Sequence, residues 1–125
     1  MPEFVNPFSG VVPARKITKA ELIRAIRLNI AAEHEAVHLY LSHADATDDE
    51  FAKAVLRDIA NEERQHIGEF SELLRRLAPD ETTYLEIGRK EVEAMAAETG
   101  AGEAPAQEAE VEASGSGEMT IGNLR

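Results

Sequence analysis

The chain has 125 residues, 43% of them hydrophobic, which is enough for one small domain of a size that often gains stability by oligomerising. Its 24 acidic residues against 13 Lys and Arg give a formal charge of -11, which disfavours nucleic acid and anionic membranes and favours cations and basic surfaces. The sequence contains no cysteine, so disulfides, thiolate nucleophiles, zinc–thiolate sites and iron–sulfur centres are excluded.

Residues 1–17 contain Pro and aromatic residues without helical periodicity, which predicts an extended N-terminal arm. This arm has neither the basic region nor the apolar core of a signal peptide, and no stretch of the chain approaches the roughly 20 apolar residues that span a bilayer. We therefore expect a soluble, unsecreted protein.

The first helix is predicted from about Lys19 to about Ala44. It begins at a capping box, Thr18-x-x-Glu21, in which each side chain satisfies a free amide group at the helix start. At about 100° per residue, one face of this helix forms an apolar seam that consists of Leu22, Ile26, Ile30, Val37, Leu41 and Ala44. Glu33 falls in the middle of that seam.

A second helix follows the turn at residues 45–47. It is predicted to begin at another capping box, Thr47-x-x-Glu50, and to end at about Leu77 because Pro79 cannot continue a helix. Its apolar seam consists of Ala52, Leu56, Ile59, Ile67, Phe70, Leu74 and Leu77.

A shorter third helix is predicted from about Glu81 to Ala97. Ala97 is also the last residue of the predicted helical domain, residues 18–97. Gly88 weakens this helix by up to about 1 kcal/mol relative to Ala. Gly, Ala, Ser and Glu dominate residues 98–118, which predicts a flexible acidic linker. Apolar residues return at 119–125, a pattern typical of a tethered peptide that docks into a partner groove, with a terminus without function as the alternative.

Ionisable residues interrupt both seams, with Glu33 on the first and Glu63 and His66 on the second. An ionised carboxylate that is dry and unpaired costs on the order of several kcal/mol, so these groups must be neutralised, and two divalent metal ions would do so. The i,i+3 spacing of Glu63 and His66 lets an oxygen and a nitrogen converge on one ion. Carboxylate and imidazole ligands without thiolate suit Fe or Mn.

A di-iron carboxylate bundle takes one Glu from each of two helices and a Glu-x-x-His from each of the other two. One copy of this chain supplies one of each, so two copies complete the set, and the charges of four Glu and two Fe²⁺ cancel. The sequence therefore predicts an all-α fold in which two long antiparallel helices and a short C-terminal helix dimerise into a ferritin-like four-helix bundle.

The same residues have simpler interpretations. Arg27 or Arg64 would neutralise the interrupting groups in a buried salt-bridge network, although neither arginine falls on a seam. Tyr40 lies close to the first seam, either as a core aromatic whose hydroxyl is satisfied or as a side chain beside the metal ions.

Glu35-x-x-His38 repeats the ligand spacing on the first helix. Glu35 points away from the seam and His38 lies at its margin, so we interpret this pair as solvated, with a metal-entry or surface metal site as the alternative. His34 and His43 lie at the edges of the seam and are predicted to be packing or surface residues rather than ligands.

Three stretches of the chain resemble the encapsulated ferritin-like proteins, which are two-helix relatives of the ferritin and rubrerythrin superfamily. The stretches are VPARKIT at 12–18, AAEHEA at 31–36 and IANEERQHIGEF at 59–70. The resemblance covers roughly residues 11–97. In addition, TIGNLR at 120–125 is similar to the targeting peptide that carries cargo into encapsulin shells, with Asn123 where such peptides more often carry Ser.

The resemblance implies a di-iron ferroxidase centre at a dimer interface, with dimers assembled into a ring that is typically a decamer. It implies that Fe²⁺ is oxidised inside an encapsulin shell, which stores the mineral. By match to the family motif, Glu33, Glu63 and His66 are the ferroxidase ligands and Tyr40 is the nearby tyrosine. Glu35 matches a position associated with metal entry.

Two other functions are compatible with the same residues. One is a rubrerythrin-like peroxide reductase, which would need an electron donor from another chain because a rubredoxin centre requires Cys. The other is a non-catalytic adaptor, in which the metal of a helical dimer is structural and the tail recruits a partner.

Overall fold

A computed structural model describes residues 14–101, which form three α-helices and no strand. The helices are α1 (Lys19–Asp45), α2 (Glu50–Leu77) and α3 (Glu81–Thr99). The predicted all-α fold, with two long helices and a shorter C-terminal one, is therefore confirmed. Residues 1–13 and 102–125 lie outside the described part, and with them most of the N-terminal arm, nearly all of the acidic linker and the predicted targeting peptide at 119–125.

The N-terminus of α1 carries the predicted capping box. Thr18 accepts a hydrogen bond from the Glu21 amide at 3.1 Å, and the Glu21 carboxylate accepts one from the Thr18 amide at 2.8 Å. The Arg15 guanidinium donates two further hydrogen bonds to Glu21, at 2.8 and 2.7 Å. These hydrogen bonds, with that of Arg15 the largest cause, lower the pKa of Glu21 to about 2. The chain before α1 is thereby attached to the first helical turn.

The N-terminus of α2 differs from the prediction. In the described connection between α1 and α2, the N-cap is Asp49 rather than Thr47, so the predicted capping box with Glu50 is wrong. The Asp49 side chain accepts a hydrogen bond from the Ala52 amide at 3.0 Å, whereas Thr47 accepts one from the Asp49 amide at 3.2 Å. Asp caps helices at least as well as Thr and lies directly before the first helical residue, so Thr47 is left to stabilise the turn.

The C-terminal ends of α2 and α3 have different causes. α2 ends at Leu77, as predicted from Pro79. α3 continues to Thr99 rather than to the predicted Ala97. Gly100 ends it in a left-handed conformation with φ of 75°, and the Gly100 amide bonds back to the Ala97 carbonyl at 3.4 Å. This arrangement is a glycine C-cap, which a residue with a Cβ adopts only at a steric cost.

α1 and α2 lie antiparallel and pack along the predicted seams. The register is visible in two contacts between the helices, Asp45 to Arg57 at 3.7 Å near the connection and Glu33 to His66 at 2.9 Å farther along. Every residue predicted for the two apolar seams is buried or half-buried, which confirms the seams that the helical periodicity predicted.

The apolar core of the single chain is thin. Among the described residues, the buried apolar side chains are Ile26, Ala44, Ala60 and Leu74. The remaining seam residues stay half-buried, because a single pair of helices covers only one side of each apolar face. Other large apolar side chains are openly exposed, including Phe51 at 79%. The helix pair therefore leaves much of its apolar surface in contact with solvent.

The chain divides into two compact units between Leu85 and Glu86. The first contains α1, α2 and the start of α3, where the Glu81 carboxylate accepts two hydrogen bonds from Arg27, at 2.9 and 2.7 Å. The second contains the rest of α3, in which Arg89 donates a hydrogen bond to Glu86 at 2.9 Å. None of the helices between residues 14 and 101 combines the length and apolarity needed to cross a membrane.

Candidate metal centre

The antiparallel register of α1 and α2 brings the interrupting residues of the two seams together. Glu33, Glu63 and His66 each offer a ligand atom, and these atoms lie within 4.8 Å of one another. His66 Nδ1 lies 2.9 Å from Glu33 Oε2 on the opposite helix and 3.6 Å from Glu63 Oε1 on its own helix. We call these three residues the carboxylate cluster.

The carboxylate cluster combines burial with like charge. The side chains of Glu33 and Glu63 are 18% and 16% exposed, whereas that of His66 is 48% exposed. Burial, together with the hydrogen bond to Glu33 and the negative charge of Glu33, raises the pKa of the Glu63 carboxyl. Without a cation beside it, the Glu63 carboxyl therefore favours retention of its proton.

The salt-bridge alternative for the cluster does not agree with the described contacts. The Arg27 guanidinium pairs with Glu81 at the start of α3, and Arg64 donates to the Asn61 side chain at 3.4 Å. Within residues 14–101, neither arginine pairs with a member of the cluster. The described contacts therefore give the two carboxylates no guanidinium counterion.

The other predicted site residues lie outside the cluster. Tyr40 is half-buried and follows Glu33 by two helical turns, about 10.5 Å along the axis of α1. Glu35, His34, His38 and His43 are exposed, and the structure brings none of these described side chains into the group of three ligand atoms. The hydrogen bond between His66 and Glu33 was not predicted, although the antiparallel register of the two seams is the signal that points to it.

The donor set of the cluster fits iron or manganese. Two carboxylates and an imidazole, with no thiolate anywhere in the sequence, are the ligand types that these ions take. Three ligand atoms are fewer than the about four to six that such ions usually hold. If the cluster of one chain held such an ion, further ligands would be needed to complete its coordination.

Comparison with known proteins assigns the family. The rubrerythrin family profile matches residues 16–116. An encapsulin nanocompartment cargo protein of Myxococcus xanthus is 51% identical over 84 residues, which are 67% of this chain and 63% of that protein. A ferritin-like–encapsulin shell fusion protein of Pyrococcus furiosus is 42% identical over 78 residues, 62% of this chain. The chain spans only 23% of that fusion protein.

A solved structure supports the same assignment. The crystal structure of an encapsulated ferritin domain from Pyrococcus furiosus matches this fold with a TM-score of 0.65 and 38% sequence identity. The match covers 73% of this chain and 92% of the solved chain. The chain therefore belongs to the rubrerythrin family of ferritin-like proteins, and encapsulated ferritin-like proteins are its relatives within that family.

Proposed function

We propose that this protein is a ferroxidase, which oxidises Fe²⁺ to Fe³⁺ with O₂ at a di-iron centre formed between two copies of the chain. The observation that carries the proposal is the convergence of Glu33, Glu63 and His66 within 4.8 Å on the seams of two packed helices. Membership of the rubrerythrin family adds to it, because ferritin-like di-iron proteins use carboxylates and Glu-x-x-His pairs on bundle helices.

The second copy is inferred from what one chain lacks. One carboxylate cluster carries at most two negative charges, whereas two clusters supply four, which balance two Fe²⁺ ions. The half-buried seams of α1 and α2 also have uncovered apolar surface on the same faces that carry the cluster. Packing of two such faces in a four-helix bundle would bury the seams and bring the two clusters together. We expect these dimers to assemble further into a ring, as the resemblance implies.

Each side chain of the cluster has a separate role in this proposal. Glu63 bridges the two Fe²⁺ substrate ions, Glu33 binds one of them terminally, and His66 binds through one ring nitrogen. O₂ would take one electron from each of the two ions and two protons from solvent and leave as hydrogen peroxide, and the Fe³⁺ product would leave for mineralisation. Tyr40, which is half-buried on the same seam, would act beside the ions, and the exposed Glu35 would guide Fe²⁺ toward them.

The proposed destination is an encapsulin nanocompartment in the cytoplasm. One relative is named as an encapsulin nanocompartment cargo protein and another as a ferritin-like–encapsulin shell fusion. In this chain the predicted targeting peptide at 119–125 lies outside the described residues, and a shell protein would recognise its apolar side chains. The shell would then store the iron that this protein oxidises.

A peroxide reductase is the second candidate, because the matching family is the rubrerythrin family. The same carboxylates would serve it, but the absence of cysteine means that the electron donor must be another protein. Oxygen-electrode measurements on the full chain loaded with Fe²⁺ separate the two functions. We expect protein-dependent O₂ consumption in proportion to Fe²⁺ added. When hydrogen peroxide replaces O₂, we expect no acceleration over the protein-free reaction of Fe²⁺ with peroxide.

His66→Ala and His43→Ala form the matched pair for this measurement. His66 belongs to the cluster, whereas His43 is an exposed histidine near the C-terminus of α1. We expect His66→Ala alone to lose protein-dependent O₂ consumption. After subtraction of the protein-free reaction, faster iron oxidation with peroxide than with O₂ would favour the peroxidase. Equal O₂ consumption by both variants would leave the metal with a structural role.

A further inference from the structure

A second set of potential metal ligands lies on α1, outside the carboxylate cluster. The sequence His34-Glu35-Ala36-Val37-His38 places two imidazoles four residues apart on an uninterrupted helix of 27 residues. Side chains at i and i+4 are neighbours on a helix surface, with Cβ atoms roughly 5–6 Å apart. That separation lets two imidazole nitrogens converge on one ion.

The two histidines face away from the carboxylate cluster. At about 100° per residue, His34 and His38 differ by about 40° around the axis of α1. Glu33 points about 100° from His34 and about 140° from His38. Both histidines are exposed, whereas Glu33 is half-buried between α1 and α2. The histidine pair therefore lies at the edge of the apolar seam of α1, on a different side of the helix from Glu33.

The imidazoles of this pair are available to a ligand. Within residues 14–101, the hydrogen bonds and ion pairs include no ring nitrogen of either His34 or His38; the contact of His38 is through its backbone carbonyl, which accepts a hydrogen bond from the Ser42 hydroxyl at 2.8 Å. The helical backbone fixes the spacing of the two rings, so little chain entropy is lost when they share an ion. The net charge of -11 raises the concentration of cations near the surface.

The chemistry of the pair indicates which ions it would take. Imidazole suits Zn²⁺, Cu²⁺, Ni²⁺ and iron, whereas Mg²⁺, Ca²⁺ and Mn²⁺ prefer oxygen ligands. The spacing His-Glu-x-x-His also occurs on the zinc-binding helix of metalloproteases, where Glu is the general base. Such catalytic sites hold zinc with three protein ligands. In the described part of the chain, the group of three ligands is the carboxylate cluster and does not include His34 or His38.

We propose that His34 and His38 form a two-histidine site for a borderline divalent cation such as Zn²⁺, with water in the remaining coordination positions. This site binds metal without the third ligand that peptidase chemistry requires. It is independent of the ferroxidase proposal, because it lies on another face of α1 and uses none of the residues of the carboxylate cluster. The protein therefore has two kinds of metal site, one rich in oxygen and one made of nitrogen.

Calorimetric titration of the full chain with Zn²⁺ tests this proposal. The variants are His34→Gln, His38→Gln and the matched control His43→Gln, which changes an exposed histidine of the same helix that has no histidine four residues away. A further variant, Glu63→Ala, weakens any Zn²⁺ binding at the carboxylate cluster and so distinguishes that binding from binding at the histidine pair. Loss of a residue that merely orients a metal ligand costs roughly 10- to 100-fold in affinity, and loss of a ligand should cost at least as much.

We expect each of the variants His34→Gln and His38→Gln to weaken one class of Zn²⁺ sites by at least about tenfold. The same class should remain in His43→Gln and in Glu63→Ala, and a titration with Mn²⁺ should not detect it. Wild-type Zn²⁺ binding in both variants of the pair, or loss of all Zn²⁺ binding in Glu63→Ala, would overturn the proposal.

A second measurement does not depend on the folding of any variant. The imidazole proton signals of the wild-type chain are followed by NMR during addition of Zn²⁺. The signals of His34 and His38 should shift together, with the same dependence on added Zn²⁺, while those of His43 remain in place. Equal shifts of all exposed histidines would indicate nonspecific binding and would also overturn the proposal.

Discussion

Acid should release Fe²⁺ from the protein, and the Glu63 carboxyl should contribute part of the steepness of that release. The pKa of Glu63 is raised above its usual value of 4.5 by burial and by Glu33, so the metal-free cluster retains a proton at a higher pH than an exposed Glu does. That proton must leave before the carboxylate can bind a metal ion. Affinity for Fe²⁺ is therefore lost as the pH falls through the raised pKa.

The size of this pH effect on Fe²⁺ binding follows from the number of protons that Glu63 releases. Below the raised pKa, each copy of the chain releases one proton from Glu63, so a dimer that binds two Fe²⁺ ions releases two. Each proton contributes about tenfold per pH unit to the binding constant, so the two together contribute about 100-fold, or about 2.7 kcal/mol per pH unit. Above the raised pKa this contribution of Glu63 disappears.

The assay is an anaerobic titration with Fe²⁺ at a series of pH values from neutrality down to about 4.5. Glu63→Gln replaces the titrating carboxyl by a neutral amide of the same shape, whereas Glu62→Gln changes the adjacent exposed carboxylate. We expect the first variant to bind Fe²⁺ weakly and to lose the part of the pH dependence that belongs to Glu63. The second variant should retain the wild-type slope, although loss of the Glu62 charge removes the smallest cause of the raised pKa of Glu63. Equal slopes in all three proteins, or tighter binding in acid, would refute the reasoning.

Three further predictions concern packing, capping and the C-terminus. Leu74→Ala should lower the free energy of unfolding by about 2–5 kcal/mol because the Leu74 side chain is only 6% exposed. Leu73→Ala should lower it much less because Leu73 is 40% exposed, and urea unfolding measures both variants. Asp49→Ala should lower the free energy of unfolding by about 1 kcal/mol, and Thr47→Ala should lower it by less. A larger loss for Thr47→Ala than for Asp49→Ala would mean that Thr47 is the N-cap, as the sequence predicted. Deletion of residues 118–125 should abolish co-purification with an encapsulin shell while iron oxidation continues; loss of oxidation would mean that the tail has another role.

The apolar periodicity of the sequence predicted the helices and their inward faces, because burial of an amphipathic stripe leaves a regular signal. The same periodicity showed that Glu33, Glu63 and His66 interrupt the seams, and in the structure these residues lie together. Their contact requires only that two long helices pack antiparallel through a short connection. This part of the candidate site was therefore predictable from one sequence.

Local competition between similar groups was harder to predict. Thr47 and Asp49 are both good N-caps, and their order depends on where the turn ends, which neither residue type specifies. The partner of Arg27 is Glu81, which is 54 residues away in sequence, and a pairing over that distance depends on where α3 begins relative to α1. The end of α3 was predicted from the change in composition, whereas Gly100 ends the helix by its backbone conformation.

The most direct test of the ferroxidase proposal is stopped-flow oxidation of Fe²⁺ in air, with wild type, Glu63→Ala and the control Glu62→Ala compared in the same buffer. Without Glu63, a pair of chains retains two carboxylates of the cluster, so two Fe²⁺ ions would leave two positive charges uncompensated. We predict that oxidation by Glu63→Ala is at least about 100-fold slower than by wild type, equivalent to about 2.7 kcal/mol in the barrier, and that Glu62→Ala oxidises iron at the wild-type rate. Equal rates for Glu63→Ala and wild type would contradict the assignment of the carboxylate cluster as a ferroxidase centre.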